Sequence, residues 1–166
     1  MHASLNPNPT PAHQAHNLRV AMVVAQWHPE ITESLRSAAT DVFLQAGGNP
    51  EHLLTIAVPG AWELASACGR LVHTLEPPPD AILAIGCVIK GETQHDRWIN
   101  HGICAALATL GAQSGIPITL GVLTCDTLQQ AQDRAGGTKG NKGADAMSAA
   151  IDTVHSLRNV HWSSCP

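Results

Sequence analysis

The chain is predicted to be an α/β protein, a three-layer α/β/α sandwich built on a four-stranded parallel sheet. Three observations carry this expectation. Four apolar runs rich in β-branched residues alternate with segments whose apolar residues recur at helical spacing, and the connections between them are short. Proline or glycine marks most junctions. The strand-like runs are nearly continuous in apolar residues, as expected of strands buried on both faces, and parallel strands need crossovers that cover the sheet with helices on two sides.

The first strand is 18–26, LRVAMVVAQ. Pro29 suits the first turn of the following helix, in which Ile31, Leu35, Ala38, Val42 and Ala46 recur until Gly47 and Gly48 stop it. The second strand, 52–58, ends at Pro59-Gly60, and a helix over 61–75 is closed by Pro77-Pro78-Pro79. The third strand is 81–89. A helix over 93–114 places Ile99, Ile103, Ala106, Leu107 and Leu110 on one face. Pro117 opens the fourth strand, 118–123. Helices over 127–135 and 141–157 complete the domain, the last with Met147, Ile151 and Val154 as its inner stripe. Residues 1–16, rich in Pro, Asn, His and Ala without periodicity, read as a flexible arm. The single domain is then 17–158, with a tail over 159–166.

Composition narrows the function. At 166 residues, 44% of them hydrophobic and with mean hydropathy near zero, the chain has the size and character of one soluble domain with a real core. Charged residues are only 13%, which points to surface buried against copies of the same chain. A net charge of −4 argues against nucleic acid or a polybasic membrane role. Lys90, Arg97, Arg134, Lys139 and Lys142 nevertheless cluster within 90–142, either as solvated surface or as an anion pocket. The five cysteines show no CxxC or Cys/His ligand spacing. Cys68, Cys87, Cys104 and Cys125 lie in apolar stretches and are expected to be buried, reduced thiols. The ten histidines form no HExxH or comparable pair, so no metal site is expected. The N-terminus lacks the features of a signal peptide, and no apolar run approaches the about 20 residues that cross a bilayer. The expected location is cytoplasmic.

In open parallel sheets, ligands bind outside the carboxyl ends of the strands. Here those ends carry Gln26-Trp27-His28, then Pro59 to Glu63, then Lys90 to Thr93, and finally Thr124-Cys125-Asp126. Trp27 and Trp62 sit where core filling is less needed and can stack on a flat heterocycle, although ordinary packing explains them equally well. Glu63 can cap a helix start or accept hydrogen bonds from ligand hydroxyls. Gly91, Glu92 and Thr93 precede a helix N-terminus, whose free N–H groups and dipole attract an anion. His95, in the first turn of that helix, supplies an imidazole able to move protons. The segment 133–143, DRAGGTKGNKG, is either a flexible connection or a means of presenting Arg134 or Lys142 to a phosphate. It lacks P-loop spacing, and no GxGxxG follows the first strand.

Three blocks carry a resemblance: VPGAWELA (58–65), GCVIKGETQHD (86–96) and GVLTCDTLQQAQDRAGGTKGNKGADA (121–146). In order and spacing they resemble the signature regions of the lumazine synthases, the family of the penultimate step in riboflavin biosynthesis, over about 18–154. The resemblance implies a flavodoxin-like sandwich assembled as pentamers, often twelve to an icosahedral shell, with active sites between adjacent subunits. It implies condensation of 5-amino-6-(ribitylamino)uracil with 3,4-dihydroxy-2-butanone 4-phosphate, without metal or organic cofactor. The resemblance further implies association with riboflavin synthase.

Carried over by motif, Trp27 stacks on the pyrimidine and Ala61, Trp62 and Glu63 line the ribityl-chain site. Val88, Ile89 and Lys90 run along the heterocycle. Gly91, Glu92 and Thr93 face the phosphate, which Arg134 and Lys142 reach from the neighbouring subunit. His95 is the proton carrier. The chain departs from the family pattern at Asp96, Arg97 and Trp98, which follow the histidine where many members have an aromatic residue and then an acid. It departs again at Leu120, where a phenylalanine often reaches across from the neighbour, so Trp27 bears more of the ring contact. Two other readings are a binding module without catalysis and a structural shell protein. The joint presence of Glu63, His95 and Arg134 favours the enzyme over the first, and the second does not exclude catalysis.

Overall fold

Apolar residues on successive positions of a strand can be buried only if both faces of the sheet are covered. The computed structural model, which describes residues 11–160, shows how this is met. Strands β1 (Val20–Ala25), β2 (Leu53–Val58), β3 (Ala81–Ile89) and β4 (Ile118–Cys125) form one parallel sheet in the order β2-β1-β3-β4. Val20, Met22 and Val24 of β1, with Leu83, Ile85 and Cys87 of β3, point into a core layer closed by α1 (Pro29–Gln45), α4 (Leu128–Arg134) and α5 (Lys142–Arg158). Ala21, Val23 and Ala25, with Ile82 and Ala84, point the other way, against α2 (Leu64–Thr74) and α3 (His95–Ser114). β1 is therefore buried throughout, and β3 is buried up to Cys87 with Val88 and Ile89 half-buried. The edge strands expose Leu54 and Leu120.

Several boundaries differ from the sequence expectation for local reasons. β4 runs two residues further, because Val88 and Ile89 pair with Thr124 and Cys125 and the Lys90 N–H donates to the Cys125 carbonyl at 2.8 Å. The second helix opens with a 3-10 turn, Ala61–Glu63. α3 begins at His95 instead of 93, where the Thr93 hydroxyl accepts from the His95 N–H. The glycine-rich segment is no loose connection. It folds as a hairpin of β5 (Ala135–Gly137) and β6 (Gly140–Asn141), with Gly136 and Gly140 at positive φ. Ser34 of α1 donates to the Ala135 carbonyl at 2.5 Å and accepts, through its own carbonyl, from the Asn141 amide at 3.2 Å.

Asn141 also caps α5, its Oδ1 accepting from the N–H groups of Gly143 and Ala144. This brings the first turn of α5 hard against α1. A Cβ on Gly143 would lie 2.0 Å from the Leu35 carbonyl oxygen, so only glycine fits there.

Two expectations need correction. Residues 12–15, assigned to a flexible arm, are held to the body, while 1–10 and most of the 159–166 tail lie outside the described residues. The Asp152 carboxylate accepts from the Ala12 and His13 N–H groups and from His13 Nδ1, and the His13 ring stacks on His155 at 4.8 Å between centroids. Ala15 is fully buried and donates to the Ala46 carbonyl. Polar pairing that spans nearly the whole chain leaves no periodic trace in sequence. Cys104 is the second correction: it is exposed, because α3 buries only Ile103 and Leu107, and Ala106 also faces outward. No helix among the described residues is long and apolar enough to cross a membrane.

Candidate active site

The carboxyl ends of β1, β2 and β3 open onto a cleft of about 440 Å³. Its first wall is the β1–α1 junction. Trp27 stands there 69% exposed, and His28 follows with φ of 57°, a left-handed conformation uncommon for a side-chain-bearing residue. The strain is offset by capping: the His28 carbonyl accepts from the N–H groups of Ile31 and Thr32 at 2.9 and 3.0 Å, and Pro29 fixes the entry to α1. His28 is itself one of the residues that line the cleft.

The second wall is the 3-10 turn after β2. Ala61, Trp62 and Glu63 all line the cleft. One Glu63 oxygen, Oε2, accepts from the Gly60 N–H at 2.9 Å, so this carboxylate both caps the turn and faces the cavity. Trp62 is 59% exposed and rests against α3 at Gly102.

The floor and third wall come from β3 and the start of α3. Cys87, Val88 and Ile89 form the strand edge, and Gly91, Thr93, His95 and Asp96 continue the lining, with Ile99 one turn further along α3. The first turn of a 20-residue helix therefore borders the cavity, and its dipole favours an anion there. His95 is exposed beside it. The Cys87 thiol is no nucleophile. Burial, with smaller contributions from Cys125 and Glu30, pushes its pKa up to about 12. Cys68 is likewise raised to about 12 by burial. In a Cys165→Ser protein, iodoacetamide at pH 8 should accordingly label Cys104 while Cys68 and Cys87 stay unmodified until denaturant is added. Mass spectrometry of the peptides reads the result, and early labelling of Cys87 would contradict the buried, protonated thiol.

Nine of the expected site residues thus meet in one cavity: Trp27, Ala61, Trp62, Glu63, Val88, Ile89, Gly91, Thr93 and His95. Five do not line it. Lys90 lies 4.0 Å from Asp126, and Glu92 is exposed outside the lining. Leu120 and Lys142 share a different depression on the β4–α5 surface, where Lys142 pairs with Asp145. Arg134 ends α4, its Nη1 donating to the Gln130 carbonyl, and its charge reaches Cys125, whose pKa burial raises against the pull of that guanidinium. The cleft of a single chain therefore holds an imidazole pair and two carboxylates but no arginine or lysine in its lining. His28, Gly60, Cys87 and Ile99 are lining residues that sequence reasoning did not assign to the site. The position of His28 immediately after Trp27 at a strand end was the available signal.

Comparison with known proteins decides the family. The family model for 6,7-dimethyl-8-ribityllumazine synthase matches residues 17–158. The chain belongs to the 6,7-dimethyl-8-ribityllumazine synthase family. Among curated members, the 6,7-dimethyl-8-ribityllumazine synthase of Parabacteroides distasonis is 38% identical over 141 residues, covering 85% of this chain and 87% of the relative. The Deinococcus radiodurans protein of the same name is 37% identical over 146 residues, with 88% and 93% covered. That of Thermus thermophilus is 36% identical over 151 residues, with 91% and 95% covered. The four-stranded parallel sheet with helices on both faces is the architecture expected for the lumazine synthase family.

Proposed function

We propose that this chain condenses 5-amino-6-(D-ribitylamino)uracil with 3,4-dihydroxy-2-butanone 4-phosphate to give 6,7-dimethyl-8-ribityllumazine, phosphate and water. The observation that carries the reading is the convergence of Trp27, Ala61 to Glu63, the β3 edge and His95 on one cleft within a chain of this family. Trp27 stacks on the pyrimidine ring. Glu63, already oriented by Gly60, accepts from ribityl hydroxyls, with Ala61 and Trp62 beside it. Val88, Ile89 and the Lys90 backbone flank the heterocycle. Gly91, Glu92 and Thr93 bind the phosphate with the helix start.

The chemistry distributes over these groups. The 5-amino group of the uracil attacks the ketone and water leaves to form the imine. Loss of a proton from the adjacent carbinol carbon expels phosphate and leaves an enol, which tautomerises to a new ketone. The ribitylamino nitrogen attacks that ketone and a second water is lost as the ring closes. Each step moves a proton, which His95 carries. Holding both reactants in one cavity supplies orientation. The missing cation comes from a second copy. Leu120 and Lys142 lie on the β4–α5 surface and Arg134 at the end of α4, from which they complete the neighbour's cleft, Leu120 beside the ring and the two cations on the departing phosphate. The assembly is a homopentamer with its active sites between subunits, able to close as a sixty-copy shell and to associate with riboflavin synthase, in the cytoplasm. Light scattering separates five copies from sixty.

The test mixes the purified protein with both substrates and follows the fluorescent lumazine. Product should form well above the spontaneous rate, and His95→Ala should lower kcat by about 10² while substrate binding persists. Product formation no faster than the uncatalysed background would overturn the reading.

A further inference from the structure

A helix interior penalises glycine relative to alanine, so a mid-helix glycine calls for a reason in packing or function. Gly102 lies well inside α3. His95, Ile99 and Gly102 share one face of that helix, and the first two line the cleft. The space above the Gly102 Cα is taken by the indole of Trp62. A Cβ at Gly102 would lie 2.7 Å from Cζ3, 3.1 Å from Cη2 and 3.8 Å from Cε3 of that ring, and these are its three nearest atoms. The first distance is shorter than any stable contact, so with a side chain at 102 the indole must move.

We propose that Gly102 is a positioning residue for the ribityl-chain wall: it seats the Trp62 indole on α3 and so fixes the spacing between the Ala61–Glu63 turn and His95. This rests on the reaction proposed above. Trp62 and Glu63 are consecutive on a single 3-10 turn, so the seat of the indole on α3 and the Glu63 carboxylate belong to one wall of the cleft. The wall that recognises the hydroxylated chain would shift, whereas the phosphate end at Gly91 and Thr93 would not.

The experiment compares four assembled proteins: wild type, Gly102→Ala, Trp62→Phe and the double variant. Affinity for 5-amino-6-(ribitylamino)uracil is measured by quenching of tryptophan fluorescence, and steady-state kinetics are measured with both substrates. Against wild type, Gly102→Ala should weaken uracil binding and raise its KM about tenfold, equivalent to ~1.4 kcal/mol. The KM for the butanone phosphate and kcat at saturation should stay within about twofold. Phenylalanine lacks the benzo edge that occupies the space over Gly102. In the Trp62→Phe background the same Gly102→Ala change should therefore shift uracil affinity less than about twofold, a non-additivity expected only of groups in contact. An equal loss in both backgrounds, no loss beside Trp62, or a fall in kcat with both KM values raised would overturn the proposal. If Gly102→Ala failed to fold, a folded double variant would support the contact, and an unfolded one would overturn it. Because affinity is read without turnover, a wild type that binds the uracil but makes no product would defeat the reaction and leave this inference standing or falling on its own data.

Discussion

Replacing Arg134 with alanine should lower kcat/KM for the butanone phosphate by about 10² to 10³, the range seen when a fixed donor to developing negative charge is removed. The sharper expectation concerns mixtures. His95 borders the cleft of its own chain, whereas Arg134 lies at the end of α4 and lines none of it. If each site draws its imidazole from one protomer and its guanidinium from the next, a His95→Ala chain and an Arg134→Ala chain have complementary defects. Coexpressed in equal amounts, they should restore roughly a quarter of wild-type activity, since random assortment around a head-to-tail ring makes that fraction of sites intact. A mixture no more active than the two parents added together would place both groups within a single chain and refute the shared site.

Gly143→Ala should be the most damaging single methyl in the core. Its Cβ would sit 2.0 Å from the Leu35 carbonyl oxygen and 2.6 Å from the carbonyl carbon, both backbone atoms with no rotamer to yield. Relief requires α5 to withdraw from α1, which breaks the Asn141 cap and the bond from its amide to the Ser34 carbonyl. Overpacking of this kind costs about 3 kcal/mol or more. Thermal unfolding should fall by roughly 10 °C, or the protein should fail to accumulate. Gly69→Ala is the matched control. It too lies within a helix, but the nearest atom to its Cβ is 4.0 Å away, so it should be neutral or stabilising. A Gly143→Ala protein melting within about 2 °C of wild type would show that α5 can slide freely on α1.

What could be read from the sequence follows from where the physical signal is local. The unbroken apolar runs of β1 and β3 announced strands buried on both faces, and odd and even positions do divide between the two helical layers. The carboxyl-end rule then gathered Trp27, the Ala61 to Glu63 turn, Gly91, Thr93 and His95 before any coordinates, and the family motifs named the same residues. Signals that depend on distant partners were invisible. The hairpin at 135–141 is organised by Ser34, a hundred residues earlier, and residues 12–15 are organised by Asp152. The end of β4 at Cys125 reflects pairing with β3 and not its own hydropathy. His28 enters the cleft through a positive φ, which histidine does not advertise. Leu120 was named only by motif and Arg134 and Lys142 by the cations of their glycine-rich segment; in this chain all three lie outside the cavity.

The bond from the Gly60 N–H to Glu63 Oε2 has a consequence for which molecules the cleft refuses. A carboxylate tethered by one oxygen cannot rotate to suit its guest, and it has only lone pairs to offer. Such a wall would act as a polarity filter: a chain bearing hydroxyls would meet it donor to acceptor, whereas the same chain oxidised to a carbonyl or an acid would meet it lone pair to lone pair. An amide at position 63 would have to spend its oxygen on Gly60 and turn its NH₂ outward, reversing the sense of the filter without changing its shape. The small turn after β2 thus fixes one acceptor wall of the cavity.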